Sequence, residues 1–123
     1  MCVEHLEKLT RIMMAAKGVM WKSVAEKFNE LTGDTLTRQT LKTRIVKGTI
    51  SAHDFGIVCG ILGCAMYIIG KDMESKALTT ADYENHFRDV SVAGLMKVLE
   101  YLGYTMEVRP HGSDRALVDN YRL

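Results

Sequence analysis

The 123-residue sequence has little proline, cysteine or tryptophan: it contains one Pro, three Cys and one Trp. Three cysteines are an odd number, and their positions lack the close spacing of a disulfide framework. We expect Cys59 and Cys64 to be small core residues of a reduced, cytoplasmic protein. The four histidines are scattered along the chain, so the sequence predicts no metal site.

Long apolar runs are also missing. The longest, FGIVCGILGCAMYIIG at 55–70, is interrupted by glycines and is too short to span a bilayer. The N-terminus alternates charged and apolar residues instead of forming a signal-peptide core. The sequence shows no serine-centred elbow, glycine-rich phosphate loop or paired-carboxylate motif. We therefore predict a protein that is not an enzyme, with no cofactor and no membrane partner.

Acidic residues are absent from positions 35 to 53. The same segment contains four basic residues, namely Arg38, Lys42, Arg44 and Lys47. The net charge of the whole chain is only +1, but residues 1–48 hold nine Lys and Arg against five Asp and Glu, whereas residues 49–123 hold seven against ten. A basic first part and an acidic second part suit a protein that offers one face to a polyanion.

Apolar spacing predicts four helices in the first 62 residues. The third begins near Thr37, whose hydroxyl can cap the first turn, and ends at Gly48; Ser51 or Thr49 can cap the fourth. The residues expected to face the core are Val3, Leu6, Leu9, Ile12 and Met13 in the first helix, Met20, Val24, Phe28 and Leu31 in the second, Leu41 and Ile45 in the third, and Phe55, Val58, Ile61 and Leu62 in the fourth.

The second half of the chain predicts a smaller number of elements. CAMYII at 64–69 and TMEVRP at 105–110 are typical of short strands, and VAGLMKVLEYLGY at 92–104 predicts a helix with Leu95, Val98, Leu99 and Leu102 inward. A short helix is predicted around 80–88, and residues 111–123 are expected to form one turn of helix or a disordered tail. The expected fold class is mainly α, with five or six helices and one or two short C-terminal β-strands.

Residues 51–69 and 91–109 share an internal pattern at an offset of 40. The matches are Ser51/Ser91, Val58/Val98, Leu62/Leu102, Gly63/Gly103 and Met66/Met106. Both segments predict a cap, a helix, a glycine and a strand. Chance similarity between two such units is one explanation. The alternative is a degenerate duplication, or two helix–strand units that pair in one small sheet.

Burial of the apolar anchors Leu41 and Ile45 would direct the polar side chains of the third helix away from the core, namely those of Arg38, Gln39, Lys42, Thr43 and Arg44. Arg and Gln side chains can bind guanine and adenine edges through two hydrogen bonds, Thr can contact a thymine methyl group or a phosphate, and Lys attracts phosphates. A solvated basic helix without a binding function is the alternative. The candidate DNA-binding residues are Thr37, Arg38, Gln39, Thr40, Lys42, Thr43, Arg44 and Lys47.

SVAEKFNELTGDTLTRQTLKTRIVKG at 23–48 resembles the helix-turn-helix of the lambda-repressor-like (Cro/repressor, XRE-type) DNA-binding family. The following TISAHDFGIVCGILGC resembles the next helix of that family, and the similarity covers roughly residues 3–69. SVAGLMKVLEYLGYTMEV is similar to the last helix and dimerising strand of some antitoxin-type members. The connection between the two helices is longer than the family's usual turn. The resemblance implies specific binding of duplex DNA, usually by a twofold dimer.

The sequence thus predicts a helix-turn-helix DNA-binding domain at 1–69 and an extension at 70–123 for dimerisation or binding of a protein partner. The expected function is that of a sequence-specific double-stranded DNA-binding transcriptional regulator, a repressor or autoregulator of phage, mobile-element or antitoxin type. The alternative is a phage-type inhibitor of a host protein, such as an anti-CRISPR-like factor, with an autoregulatory helix-turn-helix half.

Overall fold

The computed structural model describes residues 4–69, 75–77 and 89–110. In these ranges the chain is mainly helical with one small sheet, as the sequence predicted. The helix predicted at 80–88 and the tail at 111–123 lie outside the described residues. The elements are α1 (Glu4–Lys17), α2 (Trp21–Thr32), α3 (Arg38–Lys47), α4 (Ala52–Ile61), β1 (Cys64–Ile69), β2 (Ser75–Ala77), α5 (Val92–Tyr101) and β3 (Thr105–Pro110).

One hydrophobic core joins the five helices to one face of the sheet. Phe28 of α2 and Phe55 of α4 are fully buried in it, and removing each of these side chains from water contributes about 2–3 kcal/mol. Val92 of α5 and Val108 of β3 belong to the same cluster. The core therefore extends across position 69, where the sequence predicted a boundary between two segments.

The buried stripe of α1 differs from the predicted one. Leu6, Leu9 and Met13 are buried as predicted, but Ile12 is 40% exposed. The stripe instead includes Met14 and Thr10, and the buried Thr10 hydroxyl donates a hydrogen bond to the Leu6 carbonyl at 2.7 Å. A hydropathy pattern does not count threonine as apolar, so the prediction placed the stripe too far towards Ile12.

The prediction for α2 was wrong at both ends of the helix. Val24 and Phe28 are buried, but Met20 is 76% exposed and Leu31 is 57% exposed. Met20 precedes the helix with extended backbone angles, so helical spacing does not apply to it. Leu31 lies in the last turn, at the edge of a stripe that includes Ala25 and faces α3 and α4.

The outer side of α5 is exposed where the sequence predicted burial. Leu95 and Leu99 are buried, but Val98 is 55% exposed and Leu102, just after the helix, is 52% exposed. Met96 is buried instead. One side of α5 packs against α4 and β3. The three-residue spacing of Leu95 and Val98 predicted both on the packed side, but only Leu95 is buried.

The sheet has three antiparallel strands in the order β2-β1-β3. The predicted strands β1 and β3 pair with each other, from Cys64↔Pro110 to Ile69↔Thr105. This pairing agrees with one of the alternatives that the internal pattern left open, namely two helix–strand units that pair in one small sheet. β2 was not predicted, because three residues are too few to give a period-two pattern.

The two segments with the internal pattern do pair in one sheet. Ser51 opposes Ser91 in an isolated antiparallel bridge, and Tyr67 opposes Glu107 in the β1–β3 ladder. Both pairs join residues 40 positions apart, so a single local twofold relation maps one segment onto the other. Two backbone hydrogen bonds have the same twofold relation. The Ala52 N–H donates to the Val90 carbonyl at 2.7 Å, and the Val92 N–H donates to the Ile50 carbonyl at 2.8 Å.

The sheet face away from the main core carries a charged pair. Glu107 is 1% exposed, and its Oε2 accepts hydrogen bonds from Nε and Nη2 of Arg109 at 2.9 and 2.8 Å. The Arg109 guanidinium also lies 4.7 Å from the centre of the Tyr67 ring. This pairing satisfies charges that would be costly to bury alone.

Candidate nucleic-acid interface

The helix α3 is defined by a cap at each end. Thr37 has extended backbone angles, and its Oγ1 accepts a hydrogen bond from the Thr40 N–H at 3.1 Å. Gly48 ends the helix with φ of 70°, a left-handed conformation that glycine adopts without a steric penalty. Arg44 and Lys47 lie in the last turn, where positive charge interacts favourably with the helix dipole. Both predicted boundaries of this helix are confirmed.

Two apolar anchors fix the orientation of α3. Leu41 and Ile45 are fully buried, and α3 packs against both α1 and α2. Because residues four apart lie one above the other on a helix, the burial of this pair determines which rows of side chains face outward.

Helical geometry arranges the outward residues of α3 in three rows at i, i+4 spacing. Arg38 and Lys42 form the flank that faces α1 and the start of α2, since both line the same groove there. The other two rows are Gln39 with Thr43, and Thr40 with Arg44. Gln39 Nε2 donates a hydrogen bond to Thr43 Oγ1 at 3.4 Å.

Most of the candidate residues are accessible. Lys42 and Thr43 are partly buried, and the rest are exposed, namely Thr37, Arg38, Gln39, Thr40, Arg44 and Lys47. The structure thus brings all eight together on one helix and its cap. Val46, which lies between Arg44 and Lys47 in the sequence, is 44% exposed and adds an apolar side chain to this surface.

The four cations of α3 make no ion pair within 4 Å with a carboxylate of the described residues. Elsewhere in the same part of the chain such pairs form, as between Arg11 and Glu7 at 2.9 Å and between Lys27 and Glu30 at 3.6 Å. The charge of α3 is therefore available to an external anion. A polyanion gains most where no internal carboxylate competes.

A groove of about 520 Å³ lies beside this surface, between α1, the start of α2 and α3. Its lining is mostly apolar and includes Trp21, which is partly buried. The residues that line it are Arg11, Met14, Ala15, Val19, Met20, Trp21, Lys22, Arg38, Gln39 and Lys42. The sequence did not predict this groove, because its walls come from three separate helices.

A second, smaller cleft of about 330 Å³ contains a carboxylate. Glu26 and Asn29 of α2 line it together with Lys22, Leu36 and Arg38. A carboxylate and the Arg38 guanidinium therefore line the same cleft.

Asn29, for which the sequence predicted no role, holds the end of the connection between α2 and α3. Asn29 Nδ2 donates to the Leu36 carbonyl at 2.8 Å, and Asn29 Oδ1 accepts from the Leu36 N–H at 3.0 Å. These two bonds fix the extended backbone at Leu36, which packs partly against the core. In the sequence, an asparagine near the end of a helix and before a polar turn indicates a side chain that can bond the turn. It does not identify Leu36, seven residues later, as the partner.

The cysteines lie away from this surface. Cys59 and Cys64 are free and buried. Burial raises the pKa of the Cys59 thiol well above its ordinary value, and the neighbouring Cys64 raises it further. Burial also raises the pKa of Cys64, while Lys17 lowers it. The thiols are therefore held in the neutral form, which is a poor nucleophile and metal ligand.

The described ranges contain no group of three or more His, Cys, Asp or Glu side chains placed to hold a metal ion. They also contain no helix with the length and apolar character needed to cross a membrane. The only close pair that involves a histidine there is His53 Nδ1 with Asp54 Oδ1, 3.2 Å apart in the first turn of α4.

Comparison of the chain with protein-family models, with curated proteins and with solved structures gave no match. The functional conclusion for this chain consequently depends on the geometry and chemistry of its own residues.

Proposed function

We propose that the protein is a sequence-specific double-stranded DNA-binding regulator of transcription that reads its site with α3. The observation that supports this most directly is the set of cations on α3 that have no carboxylate partner in the described part of the chain, on a helix whose anchors Leu41 and Ile45 are fully buried. A helix of about 10 to 12 Å diameter fits the major groove of B-DNA.

The first and last turns of α3 would make two different kinds of contact with DNA. Arg38 and Gln39, at the first turn, have the donor and acceptor groups that distinguish guanine and adenine edges. Arg44 and Lys47, at the last turn, suit phosphate contacts, which give affinity without sequence preference. The resemblance of residues 23–48 to the lambda-repressor-like helix-turn-helix supports the same assignment, and a repressor or autoregulator of phage or antitoxin type is the regulator we propose.

Random-site selection on duplex DNA, followed by gel-shift measurements on the selected site, tests the proposal. We expect Arg38→Ala to weaken preference at one base position by about 1–3 kcal/mol. We expect Lys47→Ala to lower affinity for all sequences and to reduce the salt slope by about one unit. Lys97→Ala is the matched control, because Lys97 is an exposed lysine on α5. Failure to select any site, or equal effects of all three variants, would contradict the proposal.

We further propose that the regulator is a homodimer that associates through the outer side of α5. The local twofold relation gives the reason. Val58 of α4 and Leu62 just after it are buried, and α4 packs against α2. Their counterparts, Val98 of α5 and Leu102 just after it, are 55% and 52% exposed. Tyr101 beside them is 90% exposed. An isologous dimer would cover this apolar row and align two copies of α3 with a twofold DNA site.

The solution mass of the full chain tests the dimer. We expect a dimer for the native sequence and a monomer for Leu102→Asp, with Glu100→Gln, an exposed change on the same helix, leaving the dimer intact. Retention of the dimer in Leu102→Asp would contradict this interface. A monomeric native chain that captures a host protein through the same row would instead favour the inhibitor function.

A further inference from the structure

We propose that the groove between α1, the start of α2 and α3 is a binding site for a small amphipathic anion, a compound with an aromatic or branched apolar body and one carboxylate or sulfonate group. The site lies beside the face of α3 that we assign to DNA, but its chemistry differs from that of the face.

The size and lining of the groove indicate the apolar body of the ligand. A volume of about 520 Å³ is within the range of about 300–1,000 Å³ that is usual for small-molecule sites. Met14 at its base is 5% exposed, and Val19 and Trp21 are partly buried. A flat ring or branched chain placed there would contact the indole and the thioether on one side and cover apolar surface that now faces water.

The edge of the groove indicates the sign of the ligand's charge. Lys22, Arg38 and Lys42 line it, and no carboxylate does. These three cations have no ion-pair partner within 4 Å among the described residues, whereas Arg11 is already paired with Glu7 at 2.9 Å. A carboxylate or sulfonate at this edge gains charge-assisted hydrogen bonds. A neutral ligand with the same body gains none, and a cationic ligand is repelled.

The same side chains link the groove to α3. Arg38, Gln39 and Lys42 line the groove and also belong to the candidate DNA-binding residues. A bound anion would neutralise Arg38 and Lys42, and the ligand and DNA would exclude each other. This second step rests on the proposed function, but binding of the anion to the groove does not.

The chain contains its own reporter, because Trp21 is its single tryptophan and lines the groove. The probe is 8-anilinonaphthalene-1-sulfonate, and its matched neutral analogue is N-phenyl-1-naphthylamine, which has the same rings without the sulfonate. Titration of the full chain is followed by energy transfer from Trp21 to the probe. We expect one sulfonate probe per chain and binding of the neutral analogue weaker by about tenfold, the loss typical of one charged hydrogen bond.

Three variants locate the bound probe. Ala15→Phe fills the groove from an exposed position of α1, and we expect it to remove the energy transfer. Lys22→Gln, outside the candidate DNA-binding residues, should weaken the sulfonate probe by about tenfold and leave the neutral analogue unchanged. Tyr101→Ser is the control, because Tyr101 lies with Val98 and Leu102 in the exposed apolar row of α5, which is a different surface from the groove. Circular dichroism verifies that each variant is folded.

The outcomes separate the two proposals. If Ala15→Phe and Lys22→Gln bind the sulfonate probe as the native chain does, or if Tyr101→Ser alone weakens it, the groove is not the site. If the variants behave as expected but the selected DNA is not displaced by the probe, the groove binds anions and the competition with DNA is wrong. If the chain selects no DNA at all while the probe still binds as expected, the proposed function fails and the groove remains a binding site.

Discussion

At the scale of single residues, the position and orientation of α3 depend on side chains that do not belong to its exposed face. Leu41 and Ile45 were predicted as anchors from their spacing, and both are fully buried. Asn29 was not predicted, yet it holds Leu36 through two hydrogen bonds. The spacing of apolar anchors is visible in the sequence. The hydrogen-bond partner of a polar side chain such as Asn29 depends instead on the path of the backbone after the helix.

We expect Asn29→Asp to lower the free energy of unfolding by about 1–3 kcal/mol, because the new carboxylate oxygen would face the Leu36 carbonyl without a proton between them. Urea unfolding followed by Trp21 fluorescence measures this change. Asp34→Asn is the matched control in the same connection, since its side-chain oxygen can still accept from the Thr35 N–H. Equal stability of the two variants would show that the Asn29 clamp contributes nothing.

We expect the stability of the protein to decrease with rising pH above the ordinary thiol pKa of 9.0, in part because of Cys59. Burial raises its pKa in the folded state, so in that pH range the unfolded chain releases a proton that the folded chain retains. The effect is fully absent at neutral pH. Urea unfolding at pH 7 and pH 10 measures it, and the decrease should be smaller in Cys59→Ala. An identical decrease in that variant would exclude Cys59 as a cause.

At the scale of elements, caps and spacing explain why the helices begin and end where they do. Thr37, Ser51 and Ser91 each accept a hydrogen bond from the N–H three residues later. The serines at 51 and 91 have nearly identical backbone angles. Caps and apolar spacing are visible in the sequence, so the positions of the four helices before β1 were predicted well. The two six-residue strands were also predicted, from the short apolar segments CAMYII and TMEVRP.

We expect Thr37→Ala to cost about 1 kcal/mol of unfolding free energy, because the Thr40 N–H loses its acceptor at the start of α3. Thr35→Ala, also exposed and two residues earlier, is the control and should change stability by less than about 0.5 kcal/mol. Thermal unfolding followed by circular dichroism compares them. If both substitutions have the same effect, the cap does not determine the start of α3.

Burial of the predicted apolar stripes was less predictable than the helices themselves. Val58 and Val98 occupy equivalent positions in the internal pattern, but the first is fully buried and the second is 55% exposed. α4 packs against α2 as well as against β1, whereas α5 packs against β3 and α4. The sequences of the two units do not contain this information.

At the scale of the whole molecule, the shared core makes the two predicted segments depend on each other. Leu95 and Val92 of α5 lie in the same cluster as Phe28 and Leu41. Trp21, which packs against this cluster, reports on the first segment alone, so it distinguishes one cooperative unit from two independent ones.

We expect Leu95→Ala to lower the free energy of unfolding by about 2–5 kcal/mol, the usual cost of a cavity in a core. The transition seen by Trp21 fluorescence should shift together with the one seen by circular dichroism. Glu100→Gln, an exposed change on the same helix outside the proposed dimer row, should have little effect. An unshifted fluorescence transition in Leu95→Ala would show that residues 1–69 unfold as an independent domain.

The sequence by itself determined the local elements and the chemistry that α3 can offer, because spacing, caps and charge act over a few neighbouring residues. Only the tertiary structure decided the groove beside Trp21, the Asn29 clamp and the pairing of β1 with β3. Those features join residues that are distant in the chain, and whether a side chain is buried or exposed depends on which element packs against it.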